Sequence, residues 1–482
     1  MEEKKQKLEP YLITVLARRF VAITSEMTNT LLRTARSSVL SSARDFSCAI
    51  VTHDGRLISV AEGLPIHLGA IGLAVAPMVE LFDDIQPGDC FLNNSPYHGS
   101  SHHGDHTFIV PVFYKGEHLF NAIARGHQAD IGNCAPTTYM AFARDIYEEG
   151  ALNFPCVRVQ RNYQDVKDII RMCQMRIRVP EQWYGDYLAG VGATRIGERR
   201  LIELCDKYGV DTIKTFVDEW QDYGRRFMMD EIRKLPKVTL EGEVWHDPIP
   251  QVAPEGIPVR AKMTIDPEEG DITVDLTESG EAVPGGFNLC EATTRAAVLA
   301  GVFNNFSPDI PHNDGAFSRV KMIFRDGAVV GKVKHPKCAS IGTTDVAARL
   351  INLIQSIFAK LGKGRGLAEG AACTPPNTCV ISGNDYRYNN RPFINQLMFA
   401  FGGGPALHGH DGWLTYGLPV IGGAINYDSI EVDELKYPII VECEEIERDH
   451  GGAGEWDGAP GIRCLMRPRG TSGTWAYFLD SR

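Results

Sequence analysis

Apolar residues in the first 130 positions follow two different periods. Residues 9–37 carry apolar side chains three and four positions apart, which is the period of an amphipathic helix. From Phe46 onward the apolar runs are short, and turn residues such as Asp54-Gly55 separate them, which is typical of strands. The strands predicted here cover residues 46–52, 90–93, 107–113 and 119–124. The pattern therefore predicts an N-terminal helix followed by a sheet.

After residue 160 the pattern becomes helical and then returns to strands. The helices predicted first cover residues 163–208, with a break at Pro180, and residues 211–234. The later predicted elements are strands over 259–265, 272–276 and 475–479, and helices over 293–303 and 346–361. The stretch 402–458 is rich in glycine and predicts loops.

These elements predict an α+β protein with several domains. We expect an N-terminal helix-plus-sheet domain over residues 1–160, a helical connector over 161–236 and a mostly β C-terminal domain over 237–482. Three domains also agree with a length of 482 residues, because one domain usually takes about 150 residues.

Composition excludes several classes of protein. Hydrophobic residues make up 44% and charged residues 23% of the chain, which is typical of a globular protein. The net charge is −12 and no basic block is present, which argues against a nucleic-acid-binding protein. No apolar run reaches the roughly 20 residues that span a bilayer, and no signal peptide is recognisable, so a cytoplasmic protein is predicted. The twelve cysteines form no CxxC pair, which predicts reduced, mostly buried thiols.

Side chains that bind metals are concentrated just before the predicted strand 107–113. Four of the 14 histidines, together with Asp105, lie between His98 and His106. A single histidine is more often structural than a ligand, but a cluster on a glycine-containing loop favours a metal site. Because no cysteine lies in the cluster, an open catalytic site is favoured over a closed structural zinc site.

A second histidine is expected to join this loop. His127 follows the predicted strand 119–124, and Lys115-Gly116 supplies a tight turn between that strand and 107–113. If the two strands form a hairpin, their open ends bring His127 close to His102 and Asp105. Nitrogen and carboxylate ligands of this kind suit Mn²⁺, Fe²⁺ or Zn²⁺.

Common nucleotide-binding and hydrolase signatures are missing from the sequence. It contains no GxxxxGK[ST] loop, no GxGxxG after a strand, no GxSxG and no HExxH. Any nucleotide chemistry is therefore expected to come from another chain.

The order of segments along the chain resembles that of the hydantoinase B/5-oxoprolinase family, which is related to the acetone and acetophenone carboxylases. The resemblance extends over nearly the whole chain. It is carried by residues 44–49, 65–69, 87–89, 94–97, 102–113, 275–277, 284–288, 402–404 and 450–454. Members of this family commonly continue for several tens of residues past the position of Gly458, so we expect that the C-terminus is either shorter here or trimmed.

The resemblance implies a division of labour between two subunits. A larger A-type subunit with an actin-like ATPase fold would bind ATP and Mg²⁺ and phosphorylate the substrate, and this chain would hold a divalent metal. The residues that match the family's metal positions are Asp45, His102, Asp105 and His127. By spacing alone Asp45 reads as a turn residue, and only the resemblance makes it a ligand. His103 is the alternative to His102, because this chain reads His102-His103-Gly104-Asp105 where many members read His-Leu-Pro-Asp.

The predicted function is the metal-dependent catalytic subunit of an ATP-dependent cyclic amide hydrolase that forms a hetero-oligomer with the ATPase subunit. Activation of water by the metal would drive ring opening, with His103, His106 or Asp130 relaying the proton. One alternative is a subunit of an ATP-dependent ketone carboxylase, which would require bicarbonate. The other is a scaffold subunit whose metal is structural, in which case removing His102 would unfold the chain.

Overall fold

The structure is a computed structural model that describes residues 7–61, 63–370, 379–399, 401–448, 450–470 and 472–476. The helices are α1 Pro10–Thr34, α2 Ser38–Ser41, α3 Pro65–Leu68, α4 Ala76–Leu81, α5 Ile146–Glu149, α6 Lys167–Arg176, α7 Pro180–Tyr208, α8 Val210–Ile232, α9 Glu291–Phe303, α10 Asp314–Phe317, α11 Asp345–Ala359 and α12 Ile430–Lys436. Short 3₁₀ turns cover Ile71–Ala74 and Tyr386–Tyr388.

The strands are β1 Phe46–Thr52, β2 Leu57–Val60, β3 Cys90–Asn93, β4 Asp105–Tyr114, β5 Glu117–His127, β6 Val157–Arg161, β7 Gln164–Asp165, β8 Val238–His246, β9 Ile257–Asp266, β10 Asp271–Asp275, β11 Val320–Ile323, β12 Val380–Asp385, β13 Arg391–Gln396, β14 Ile439–Ile446, β15 Ile462–Pro468 and β16 Gly473–Ala476. The predicted last strand, 475–479, overlaps β16, but its residues 477–479 lie outside the described part of the chain.

An antiparallel sheet with the strand order β2-β1-β5-β4-β3-β6-β7 forms the N-terminal part. Helices α1 and α7 pack on it, and α1 buries Phe20, Met27 and Leu31 on one face. The helix predicted over 9–37 is shorter than expected, because Ala35 is extended and separates α1 from α2. The break predicted at Pro180 is confirmed, since α7 begins there with proline in its first turn.

The described residues of the C-terminal part form three smaller sheets with the orders β11-β10-β9-β8, β13-β12-β16 and β14-β15. Helix α11 packs on β8 and β9 and also against α9. The predicted α+β class is confirmed. A single hydrophobic cluster includes Leu16, Ile213, Val274 and Met398, and so joins all three predicted domains. The domain boundaries remain a prediction.

Cysteine residues in the described part of the chain form no disulfide. Within the same part, none of the helices combines the length and hydropathy needed to cross a membrane.

Candidate metal centre

The β4–β5 hairpin brings two of the predicted ligands together. Strand β4 begins at Asp105 and β5 ends at His127, and these residues face each other as the last pair of the antiparallel ladder. Lys115 and Gly116 form the turn, and both have positive φ angles. The predicted hairpin and the predicted approach of His127 to the Asp105 loop are therefore both observed.

His102 enters this site from the loop before β4. Its Nε2 atom lies 3.1 Å from Asp105 Oδ1. Its Nδ1 atom lies 2.7 Å from the backbone carbonyl oxygen of Ser340, which fixes the ring orientation. A neutral His102 that donates from Nδ1 to this carbonyl keeps the lone pair of Nε2 for a ligand.

His127 presents its other nitrogen to the same carboxylate. Its Nδ1 atom lies 3.2 Å from Asp105 Oδ1, and its Nε2 atom lies 3.0 Å from the hydroxyl of Thr138. The hydroxyl can accept the Nε2 proton, which leaves the Nδ1 lone pair directed at Asp105.

His102, Asp105 and His127 together have the properties of a metal site. One ligand atom from each residue lies within 4.8 Å of the others, and all three side chains are buried. His102 Nε2 has no partner with hydrogen-bond geometry, although it is completely buried. A Cβ atom at Gly104 would lie 2.6 Å from His102 Cε1 and 2.7 Å from His127 Cε1, so glycine is required for the rings to approach.

Charge in the site is organised around Asp105. Burial disfavours its ionised form, but electrostatic attraction to the His102 and His67 rings outweighs burial and holds the pKa of Asp105 well below its usual value. Burial likewise opposes the charged form of His102, yet the carboxylate of Asp105 raises the pKa of His102. Burial lowers the pKa of His127. A cation is thus favoured next to Asp105.

His67 is a third histidine at this carboxylate, and the sequence reasoning did not select it as a site residue. Its Nε2 atom lies 3.2 Å from Asp105 Oδ2, and its Nδ1 atom lies 3.2 Å from the hydroxyl of Ser47 on β1. Ser101 adds a 2.5 Å hydrogen bond to Asp105 Oδ2. Asp105 therefore keeps Oδ1 toward His102 and His127 while Oδ2 is held by these neighbours.

Asp45 lines a small cavity together with Asp105 and His127, but it is not one of the three residues whose ligand atoms converge. Its backbone carbonyl accepts a 3.0 Å hydrogen bond from the amide of His127, which ties β1 to the end of β5. Burial and then repulsion by Asp105 raise the pKa of Asp45 well above its usual value. Asp45 thus lies next to the converging ligands as a buried carboxyl group.

Tyr139 covers the two histidine rings. Its ring stacks on His127 at 5.2 Å and on His102 at 6.0 Å between centroids, and Gln396 Nε2 donates to its hydroxyl at 3.1 Å. The cavity beside these rings has a volume of about 40 Å³. Its lining also includes apolar side chains of the C-terminal part, among them those of Met398 and Ile421.

His103 faces away from the three converging ligands. Its Nδ1 atom lies 2.8 Å from Glu149 Oε2, and Glu149 is completely buried. Cys338 Sγ is 3.5 Å from the same carboxylate oxygen. The structure therefore brings His102, not His103, to Asp105 and His127.

The other two residues predicted to relay protons lie apart from the ligands. His106 follows Asp105 on β4 and so points to the other face of the sheet, where Trp183 donates to its Nε2 atom at 3.2 Å. Burial lowers the pKa of His106 to about 3, which keeps it neutral. Asp130 accepts hydrogen bonds from the backbone amide of Arg178 at 2.6 Å and from its side chain at 3.2 Å. The contact with Trp183 accounts for the position of His106, and the pairing with Arg178 accounts for that of Asp130.

Comparison with known proteins places the chain in a family. The family model for hydantoinase B/oxoprolinase matches residues 9–482. The caprolactamase subunit beta of Pseudomonas jessenii is 30% identical over 477 residues, which cover 98% of this chain and 81% of that subunit. A 5-oxoprolinase of Pestalotiopsis fici is 27% identical over 488 residues, and the matched part covers 96% of this chain but only 36% of that longer protein.

Two solved structures share the fold. The crystal structure of the ATP-dependent caprolactamase from Pseudomonas jessenii superposes with a TM-score of 0.86 at 28% identity, over 96% of this chain and 79% of that chain. A nucleotide-free acetone carboxylase superposes with a TM-score of 0.89 at 18% identity, over 98% of this chain and 64% of that chain, and this shows likeness of fold alone. The chain belongs to the hydantoinase B/oxoprolinase family.

Proposed function

We propose that this chain is the metal-dependent catalytic subunit of an ATP-dependent cyclic amide hydrolase. The observation that carries the proposal is the buried convergence of His102, Asp105 and His127 within 4.8 Å. Relatives named for caprolactam and 5-oxoproline, both cyclic amides, support the substrate class.

The donor set fits a divalent ion. Two imidazole nitrogens and a carboxylate are borderline-to-hard ligands, which suit Mn²⁺, Fe²⁺ or Zn²⁺. When bound, such an ion supplies Lewis-acid chemistry that polarises a carbonyl group and lowers the pKa of water. Ser340 and Thr138 orient the two histidines, and His67 holds Asp105.

We propose Asp45 as a fourth ligand of the metal ion. Its carboxyl group lines the cavity beside Asp105, and the mutual repulsion of these two carboxylates is relieved when a divalent cation binds nearby. Neither His106 nor Asp130 lines this cavity, so we propose no proton-transfer role for these two residues. His103 is assigned to support of the loop through Glu149.

Amide resonance makes a ring carbonyl a poor electrophile, so the reaction needs activation. We assign this step to ATP on a separate ATPase subunit, which phosphorylates the carbonyl oxygen. Overall, lactam, ATP and two water molecules give the ring-opened amino acid, ADP and phosphate. This chain contributes the water-activating half of the reaction.

The test is an assay of the chain together with its ATPase partner on a panel of lactams. We expect ring opening that requires ATP and a divalent metal, does not require bicarbonate, and is lost in His102→Ala. A requirement for bicarbonate, or full activity after removal of the metal, would contradict the proposal.

A further inference from the structure

A second and much larger cavity lies behind the wall of the metal site. It has a volume of about 740 Å³, which is within the range of roughly 300–1,000 Å³ for small-molecule sites. Phe303 at the end of α9, Phe306 just after that helix and Phe317 on α10 supply aromatic surface. We call this cavity the apolar chamber.

The chamber and the metal cavity share one wall made of two segments, 63–69 and 420–425. In each segment different residues face the two cavities: Leu64 and Ile66 line the metal cavity, whereas Gly63 and Pro65 line the chamber. In the second segment, Val420 and Ile421 line the metal cavity, and residues 422–424 line the chamber. The wall is therefore one layer of chain thick.

Apolar packing holds the two wall segments together, since Leu64, Ile66 and Val420 belong to one buried hydrophobic cluster. In the described part of the chain, one backbone hydrogen bond joins them, from Ile66 N to Val420 O at a long 3.4 Å. Gly422 and Gly423 both have positive φ angles, and a Cβ atom at Gly422 would lie 3.2 Å from Pro65 Cγ. A ring larger than the 40 Å³ metal cavity can reach the ligands if these segments separate.

The chamber lining carries no formal charge. Among its described residues there is no Lys, Arg, Asp or Glu. His312 is its one titratable side chain; burial lowers the pKa of this histidine, and its ring packs against Phe303 at 5.7 Å. The described lining of the metal cavity contains no Lys or Arg. A ring that carries a carboxylate would lose hydration in the chamber without gaining a counter-ion.

We propose that the apolar chamber binds an uncharged, hydrocarbon-rich cyclic amide before it passes the wall to the metal ligands. This inference rests on the proposed function and narrows its substrate class: lactams without a charged substituent are favoured over 5-oxoproline. The methylene groups pack on the phenylalanine rings of the chamber lining.

Ala300 provides the test, because it is a half-buried α9 residue on the chamber lining, where a larger side chain fills the cavity without entering the core. Binding of ε-caprolactam and 5-oxoproline to the metal-loaded chain is measured by ligand-observed NMR. Ala300→Trp is expected to weaken ε-caprolactam binding at least about tenfold, on the scale of lost hydrophobic-pocket contacts. Ala300→Lys is expected to weaken ε-caprolactam and to strengthen 5-oxoproline binding.

Val21→Trp and Val21→Lys serve as matched controls, because Val21 is exposed on α1 and lines neither cavity. If Ala300→Trp fails to fold, Ala424→Trp fills the chamber from the wall side. Unchanged ε-caprolactam binding in the filled variants, or tighter binding of 5-oxoproline than of ε-caprolactam by the unaltered chain, overturns the chamber proposal. The proposed function fails separately, if the unaltered complex opens no cyclic amide.

Discussion

The backbone carbonyl of Ser340 lies 2.7 Å from His102 Nδ1, across 238 positions of sequence. This contact distinguishes His102 from its neighbour. It turns the Nε2 atom of His102 toward Asp105, whereas His103 is bound to Glu149 on the other side of the loop.

Alanine substitutions of the two adjacent histidines are therefore expected to have different effects. His102→Ala should abolish metal binding and leave the fold intact, because it removes a ligand. His103→Ala should keep the metal but lower the free energy of unfolding by about 3 kcal/mol, because Glu149 is left buried without its partner. Metal content by mass spectrometry and urea unfolding measure both effects, and equal metal loss in the two variants would contradict the assignment.

His67 should act through Asp105 without being a ligand. Removal of a group that supports a metal ligand typically costs about 10–100-fold in metal affinity, and we expect this range for His67→Ala. Its control is His118→Gln, at the other end of the hairpin, where His118 Nε2 lies 2.9 Å from Asn121 Oδ1. Competition titrations with a fluorescent chelator give both affinities. An unchanged metal affinity in His67→Ala would contradict a supporting role of His67 at the metal site.

Gly104 should be intolerant of even one methyl group. In Gly104→Ala the new Cβ atom would meet the Cε1 atoms of both His102 and His127, so the rings would be pushed apart and metal affinity should fall at least about tenfold. Gly192→Ala on α7 is the matched control, since nothing lies within 4 Å of its Cβ position. There the helix should gain up to about 1 kcal/mol, with metal binding unchanged. The same titrations and thermal unfolding test this pair.

Two buried carboxyl groups make stability depend on pH. Burial and then repulsion by Asp433 raise the pKa of Asp428 from 3.8 to about 8. The folded chain therefore keeps a proton that the unfolded chain releases, so stability should fall as pH rises from about 4 to about 8. Asp428→Asn can still accept the 2.8 Å hydrogen bond from Met398 N. It should stabilise the protein by about 1–2 kcal/mol at pH 8 and flatten the profile. Unfolding curves between pH 5 and 9 decide this, and an equally steep profile in the variant would refute it.

Local sequence patterns were sufficient to predict the secondary-structure elements that surround the site. The hairpin followed from two apolar runs and the Lys115-Gly116 turn, and the start of α7 followed from Pro180, because these signals depend on neighbouring residues. The pairing of Asp105 with His127 then followed from the hairpin geometry.

Long-range contacts and the start of β4 at Asp105, two residues before the predicted strand 107–113, were beyond those patterns. His106 was selected for its nearness in sequence to Asp105, yet adjacent strand residues point to opposite faces of a sheet. Ser340 and Glu149 reach the histidine loop only through tertiary packing, and no local signal marks them. His67 had a signal, because it belongs to one of the segments that resemble the family, but its role was not visible from spacing.

The most direct test of the metal centre is anomalous diffraction from crystals of the chain loaded with Mn²⁺, Fe²⁺ or Zn²⁺, collected at the absorption edge of that metal. The account predicts one strong peak within about 2.0–2.3 Å of His102 Nε2, a carboxylate oxygen of Asp105 and a ring nitrogen of His127. A metal-loaded crystal whose peak lies away from these three side chains would contradict it.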